Sequence, residues 1–256
     1  MPGSMTEIIT FIFGMCIGSF INVCIYRIPF SKSIAYPGST CPSCSSSIRF
    51  YDNIPVLSYL LLGGRCRHCN ASISFRYPMV EIMVGFLALC MLLNFGFTFE
   101  GFIYFVFVAS LIVLTFIDID HQLIPDVITL PGILIGIAAS FALPAISFKN
   151  SIFGLLTGGG SLLAVAWTYH FITKKEGMGG GDIKLLAMIG SFLGWKGVLF
   201  TIFTASLAGA IVGVIIMLST RKDMKLAVPF GPFLSFGAVL YIFLGERLIY
   251  WYLNPA

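Results

Sequence analysis

Apolar segments of about membrane-crossing length recur along nearly the whole chain, and that recurrence leaves few folds open. A helix needs roughly 20 apolar residues to cross hydrocarbon, within a range of about 17–25. Eight segments answer to that pattern, near 8–26, 79–97, 101–117, 127–146, 152–172, 183–195, 198–219 and 230–253. Of the 256 residues, 58% are hydrophobic and only 10% charged, against about 25% charged in a soluble domain. The expectation is an all-α polytopic membrane protein with about eight transmembrane helices. The sixth segment, 183–195, is short. It rises only about 20 Å, against roughly 30 Å of hydrocarbon. A recess that brings water to Asp182, lined by the irregular run Gly177-Met178-Gly179-Gly180-Gly181, would accommodate the shortfall.

One long polar stretch, 27–78, interrupts the pattern between the first two segments. It divides the chain into a first transmembrane helix (1–26), an insert (27–78) and a seven-helix membrane domain (79–256). Orientation follows from Lys and Arg, which concentrate in cytoplasmic loops. With the insert in the cytoplasm and sides alternating, Arg27, Lys32, Arg49, Arg65, Arg67, Arg76, Lys174, Lys175, Lys184, Arg221, Lys222 and Lys225 fall inside. Only Lys149, Lys196 and Arg247 fall outside. Both termini then face outward, and Asp118, Asp120, Asp126 and Asp182 share the cytoplasmic side. The bases behind the net charge of +4 are scattered among these loops. They set topology among membrane lipids and give no case for a nucleic-acid partner.

Four of the seven cysteines lie in the insert. Cys41-Pro42-Ser43-Cys44 and Cys66-Arg67-His68-Cys69 form two C-x-x-C turns with 21 residues between them. Each turn offers two thiolates to one side, and two turns complete a tetrahedral site, so the spacing is that of a zinc ribbon. The insert is rich in Ser, Gly and Pro, and a metal supplies the folding free energy that so small a segment lacks. A cytoplasmic location argues against disulfides. Structural zinc is the expected occupant, with iron the alternative for the same four thiolates. A closed four-sulfur shell leaves no position for metal catalysis.

Acids at the ends of membrane helices are costly and mark function. Two carboxyls that share one proton provide both a base to activate water and an acid to protonate a peptide carbonyl. Asp182 is the foremost candidate, because the glycines before it let a substrate backbone come close. Asp118 and Asp120 are two apart, so on a helix they point to different faces and one of them is expected to face Asp182. Asp118 ends the apolar run, whereas Asp120 lies further out beside His121 and reads as a loop acid or supporting partner. Asp126 stands at the start of the fourth segment, where an acid caps backbone donors.

Taken together, these motifs resemble the type IV prepilin peptidases. Gly18-Ser19-Phe20-Ile21-Asn22-Val23, followed by Tyr26-Arg27-Ile28-Pro29, is similar to that family's first-helix motif. The two C-x-x-C turns match its cytoplasmic insert, and Arg76-Tyr77-Pro78 with Glu81 resembles the entry to its second helix. Asp118, then Leu123-Ile124-Pro125-Asp126 and Thr129-Leu130-Pro131, resembles its first catalytic region, and Gly179-x-Gly181-Asp182 its G-x-G-D signature. The resemblance implies that Asp118 and Asp182 are the catalytic pair, with Gly179, Gly180, Gly181, Asp120 and Asp126 as substrate-binding or supporting residues. It implies removal of a short basic leader from prepilins or pseudopilins, after a glycine, on the cytoplasmic side of the bacterial inner membrane. The cysteine-bearing insert is usual in bifunctional members, which methylate the new N-terminal amine with S-adenosylmethionine. The residues that bind the methyl donor are not legible in the sequence.

Two other readings compete. A G-x-G-D protease acting on other membrane proteins would need the same aspartates without a glycine-ended leader. An ion transporter using membrane acids would carry them along a path, but here they gather at one face. Elsewhere, Gly154 and Gly158-Gly159-Gly160 read as a helix-packing face, and Asn22 as an interhelical hydrogen-bonding group.

Overall fold

The computed structural model describes residues 3–174, 179–220 and 228–253. Lys175, Gly177, Met178, Arg221, Lys222 and Lys225, used above for the charge count and the recess, lie outside that set. The described residues form helices α1 (Ser4–Arg27), α2 (Leu57–Leu61), α3 (Arg76–Phe95), α4 (Phe99–His121), α5 (Asp126–Ala139), α6 (Phe148–Thr173), α7 (Gly180–Thr220), α8 (Gly231–Leu240) and α9 (Glu246–Leu253). Five of these, α1, α3, α4, α6 and α7, are long and apolar enough to cross a membrane. α5 and the stretch Gly231–Gly245 are apolar but shorter.

Three boundaries differ from the sequence expectation, each for a local reason. α5 stops at Ala139 instead of running to 146. Pro144 lies just beyond, and a proline disfavours helical geometry in the residue before it. The chain re-enters helix at Ser147, whose side chain accepts the backbone N–H of Asn150 as an N-cap. The sixth and seventh segments run together as α7, interrupted at Gly194 by a non-helical backbone (φ 68°, ψ −179°). That φ favours glycine, so the break sits where the sequence supplies one. The last segment is not one helix: a π-helical turn, Tyr241–Gly245, joins α8 to α9.

The chain divides into two compact units, Met1–Val113 and Leu114–Ala256. In the first, α1 packs along α3 through glycines. A Cβ on Gly14 would lie 2.7 Å from Ala88 Cβ, and one on Gly18 2.7 Å from Glu81 Cα, so the helices touch as small-residue interfaces do. Asn22 Nδ2 donates to Tyr77 O at 3.1 Å, crossing from α1 to α3 as expected. Such a bond is worth about 0.6 kcal/mol in a membrane, so it sets register more than it adds stability.

In the second unit α7 is the central helix, with α5, α6 and α8 packed on it. Leu185, Leu186, Met188 and Ile189 are fully buried. The expected glycine face on α6 is present. A side chain at Gly154 would overlap Gly190 O, and one at Gly158 would overlap Leu186 O. Gly160, by contrast, meets nothing among the described residues. Ser151 Oγ donates to Ser191 O at 2.7 Å within this seam. On the α5 side, Gly132 and Gly136 make room for Met188 and for Ser191 and Phe192.

Candidate active site and metal centre

Asp118 occupies the last turn of α4 and is 5% exposed. Asp120, two residues on, faces outward, as the helical spacing requires. The helix ends because Gln122 takes a left-handed conformation (φ 51°) while its N–H closes on Asp118 O at 2.8 Å. Asp182 stands in the first turn of α7, half-buried and within electrostatic reach of Asp118. Asp118 is thus buried and within electrostatic reach of Asp182, whereas Asp120 is exposed.

Asp118 has a partner that sequence reasoning missed. Gly231 N–H donates to Asp118 Oδ2 at 3.0 Å, in a buried bond that spans 113 residues. A Cβ on Gly231 would lie 2.6 Å from that same oxygen and 3.3 Å from Ile124 Cδ1. The signal was present as Pro229-Phe230-Gly231-Pro232, a rigid turn at the entry to an apolar helix.

The glycine run before Asp182 divides by role. A side chain on Gly181 would meet Ile124 Cβ at 2.8 Å, so this glycine is demanded by packing. Among the described residues, nothing lies within 4 Å of a Cβ on Gly180, and only Gly181 N, at 4.0 Å, of one on Gly179. Among the described residues these two leave space open just before Asp182.

Asp126 corrects the capping expectation. It is the first residue of α5, where an acid suits the helix dipole as expected, but no described bond joins its side chain to the backbone there. Both its carboxylate oxygens lie 2.7 Å from Lys184 Nζ instead. Lys184 follows Asp182 by two residues, so this pair ties the start of α5 to the start of α7. Lys184 was read above only for its charge.

In the insert, Cys41, Cys44, Cys66 and Cys69 converge, all four Sγ atoms lying within 4.8 Å of one another. All seven cysteines stand outside any disulfide. Cys41 Sγ and Cys69 Sγ are 3.9 Å apart, close to the roughly 3.8 Å edge of a tetrahedron with zinc–sulfur bonds near 2.3 Å. The donor set and its spacing fit a structural metal.

The two turns are built alike, at an offset of 25 residues. Cys41 N–H donates to Ser46 O and Cys66 N–H to Ala71 O, both at 2.9 Å. Antiparallel bridges Thr40–Ser47 and Arg65–Ser72 flank them. Ser45 and Asn70 take the matching left-handed positions, at φ 58° and 57°. Arg67 also grips Asp52 with two nitrogens, at 2.9 Å from Nε and 2.6 Å from Nη2. This guanidinium holds the Asp52 carboxyl below the usual carboxylate range.

Comparison with known proteins follows the same division. Residues 12–95 match the family model of the bacterial peptidase A24 N-terminal domain, and residues 105–214 that of the type IV leader peptidase family. A prepilin leader peptidase/N-methyltransferase of Pseudomonas aeruginosa is 36% identical over 271 residues, covering 96% of this chain and 93% of its own. The chain belongs to the type IV leader peptidase family. A relative of the same name from Myxococcus xanthus is 40% identical over 220 residues, 86% of this chain and 66% of the longer relative. Another from Aeromonas hydrophila is 33% identical over 96% of this chain and 93% of its own. No solved structure matches the chain. The leader peptidase match takes in both Asp118 and Asp182, while the four cysteines fall in the N-terminal match.

Proposed function

We propose that this family member is a prepilin leader peptidase and N-methyltransferase, with Asp118 and Asp182 as its catalytic pair. What supports the reading is that Asp118 lies within electrostatic reach of Asp182, with one Asp118 oxygen engaged by Gly231 N–H. Two carboxyls in mutual reach cannot both ionise easily, so they hold one proton between them and titrate as a unit. The ionised member takes a proton from water, and the water oxygen attacks the carbonyl carbon of the leader's terminal glycine. The protonated member donates to the carbonyl oxygen. The proton taken from water then passes to the scissile nitrogen, the tetrahedral intermediate collapses, the new amine leaves and a hydroxyl proton returns to the other carboxyl. Gly231 N–H prevents Asp118 from rotating away. The open space at Gly179 and Gly180 receives the extended substrate backbone.

The chain then works as three parts: a first transmembrane helix (1–26), a metal-bound insert (27–78) and a membrane peptidase domain (79–256). Cys41, Cys44, Cys66 and Cys69 hold zinc, which stabilises the insert and takes no part in hydrolysis. α5 and the Gly231–Gly245 stretch, with the two halves of α7, supplement the longer helices to make about eight crossings. The charge pattern places the insert and the aspartates on the cytoplasmic side of a bacterial inner membrane, with both termini outward. Substrates are prepilins or pseudopilins, whose basic leader stays inside under the same rule. When bound, S-adenosylmethionine supplies the methyl group for the new N-terminal amine.

The test is intact-mass analysis of a purified prepilin incubated with wild type, Asp118→Asn or Asp182→Asn. Loss of the leader with wild type alone supports the reading. Cleavage by Asp182→Asn removes that residue from the mechanism.

A further inference from the structure

The turn that leads into α2 is fastened between the membrane-spanning helices α1 and α3. Glu81 of α3, only 8% exposed, accepts Val56 N–H at 2.7 Å and also hydrogen-bonds Ser19 of α1. Glu81 stands five residues past Arg76, where α3 begins, and Ser19 eight residues short of Arg27, where α1 ends. At 1.5 Å per residue these anchors lie about 7–12 Å inside the two helix ends. α3 has 20 residues, which rise about 30 Å and only just match the hydrocarbon thickness. Its first turns have no length to spare outside the bilayer, so Val56 is held at the depth of the spans.

The backbone here is closed as hydrocarbon requires. Pro55 has no N–H to satisfy. Val56 N–H goes to Glu81, Leu57 N–H to Pro55 O, Ser58 N–H to Ile54 O, Leu60 N–H to Val56 O and Leu62 N–H to Ser58 O. Ser58 Oγ also donates to Ile54 O at 2.7 Å. A non-helical turn survives at membrane depth only with its polar groups met inside the protein. Val56 sits at φ 59°, ψ −48°, a strained conformation for a β-branched residue, and the bond to Glu81 is a constraint that holds it there. The leucines that follow are not buried by the protein. Leu57, Leu60 and Leu61 fall at i, i+3 and i+4, on one face of α2, and are 50%, 67% and 78% exposed. Tyr59 leaves that face and packs toward Phe75, with ring centroids 6.4 Å apart.

Charge identifies what covers this face. Residues 27–78 carry Arg27, Lys32, Arg49, Arg65, Arg67 and Arg76 against one acid, Asp52, which Arg67 already pairs. That excess suits the anionic surface of a bilayer and repels the basic leader of a prepilin. We propose that α2 dips into the leaflet on the insert's side of the membrane, with Leu57, Leu60 and Leu61 against acyl chains and the exposed Arg65 at the headgroups. The insert is seated in the bilayer instead of standing clear of it. Glu81 is the positioning residue that sets its depth, acting through Val56.

The experiment is photo-cross-linking of the full chain in vesicles of phosphatidylethanolamine and phosphatidylglycerol, with and without prepilin. A benzophenone amino acid is placed at Leu60 or, in a second variant, at Leu61. Both side chains are exposed, so neither change repacks the interior. Intact mass identifies the adduct, and elemental analysis the bound metal. The expected product is a phospholipid adduct on metal-bound protein, in equal yield with and without prepilin. Glu81→Ala is expected to lower that yield by about tenfold, the scale on which a buried donor loses its acceptor, with metal content unchanged. Glu81→Gln keeps an acceptor oxygen and is expected to restore most of it. Metal-bound protein that cross-links to prepilin or to a second copy in place of lipid, or that forms no lipid adduct at either position, overturns the proposal. A full lipid yield in Glu81→Ala overturns the role of Glu81. The readout needs neither cleavage nor Asp182, so its failure leaves the peptidase reading standing.

Discussion

Gly231 N–H holds Asp118 Oδ2 at 3.0 Å, joining the start of α8 to the end of α4. A methyl group at position 231 would lie 2.6 Å from the oxygen it serves. Gly231→Ala is therefore expected to displace Asp118 and lower kcat/KM for prepilin cleavage by about 100-fold, the scale on which misplacement of about 1 Å is felt. Gly160→Ala, which meets nothing within 4 Å among the described residues, is the matched control and should cleave at the wild-type rate.

Asp118→Asn and Asp182→Asn each remove one half of the proposed acid–base pair. Cleavage is expected to fall by about 10²–10⁴-fold in each, with unchanged thermal unfolding in detergent. Asp120 faces outward, and Asp120→Asn is expected to keep most of the activity. A dead Asp120→Asn variant would show that the pair is wrongly drawn.

Removing the metal acts on the insert. Structural zinc sites contribute apparent binding free energies of about 10–16 kcal/mol, far more than so small a segment gains by burying its own side chains. Chelation, or Cys44→Ser, is expected to make the chain between α1 and α3 sensitive to protease, with metal loss read by elemental analysis. Protease resistance without metal would sink the structural role.

The Asp126–Lys184 pair is exposed on both sides, at 53% and 40%. Exposed pairs are worth about 0–1 kcal/mol. Lys184→Met and Asp126→Asn are each expected to destabilise by no more than about 1 kcal/mol, and the double variant by no more than the sum. A larger coupling in a double-mutant cycle would mean that the pair positions α5 against α7 more firmly than its exposure implies.

Asp52 provides a pH signature outside the membrane segments. Its carboxyl is held low by Arg67, so its folded pKa lies beneath the unfolded value near 3.9. The stabilisation it adds is present above that value and is lost as pH falls through the folded pKa. Carboxyl NMR is expected to show Asp52 titrating at lower pH than it does in Arg67→Gln.

How much of this was legible in the sequence depended on the range of the interaction. Apolar runs report helices directly, so α1, α3, α4 and α6 were readable, and Gly194 carries its own signal for the break in α7. The cysteine turns were equally plain, because metal-ligand spacing is local within each C-x-x-C pair. Helical phase separated Asp118 from Asp120, and the end of the apolar run pointed to Asp118 as the buried one. Gly231 and Lys184 were missed for a different reason. Each acts on a residue far along the chain, and no periodicity reports a contact across 113 residues. Asp126 misled because an acid at a helix start satisfies the capping pattern whether its side chain bonds the backbone or a lysine from another helix.

The meeting of Gly154 with Gly190 has a consequence for how this protein can vary. Each presents its backbone to the other, and a side chain on either would overlap the opposing carbonyl. In most cores an enlarged residue is relieved when its neighbour shrinks. Here the neighbour is already the smallest residue there is, so no second change can restore the fit. Only parting α6 from α7 would do so, and α7 carries Asp182 eight positions upstream of Gly190. Homologous sequences should drift around this pair while leaving both of its members untouched.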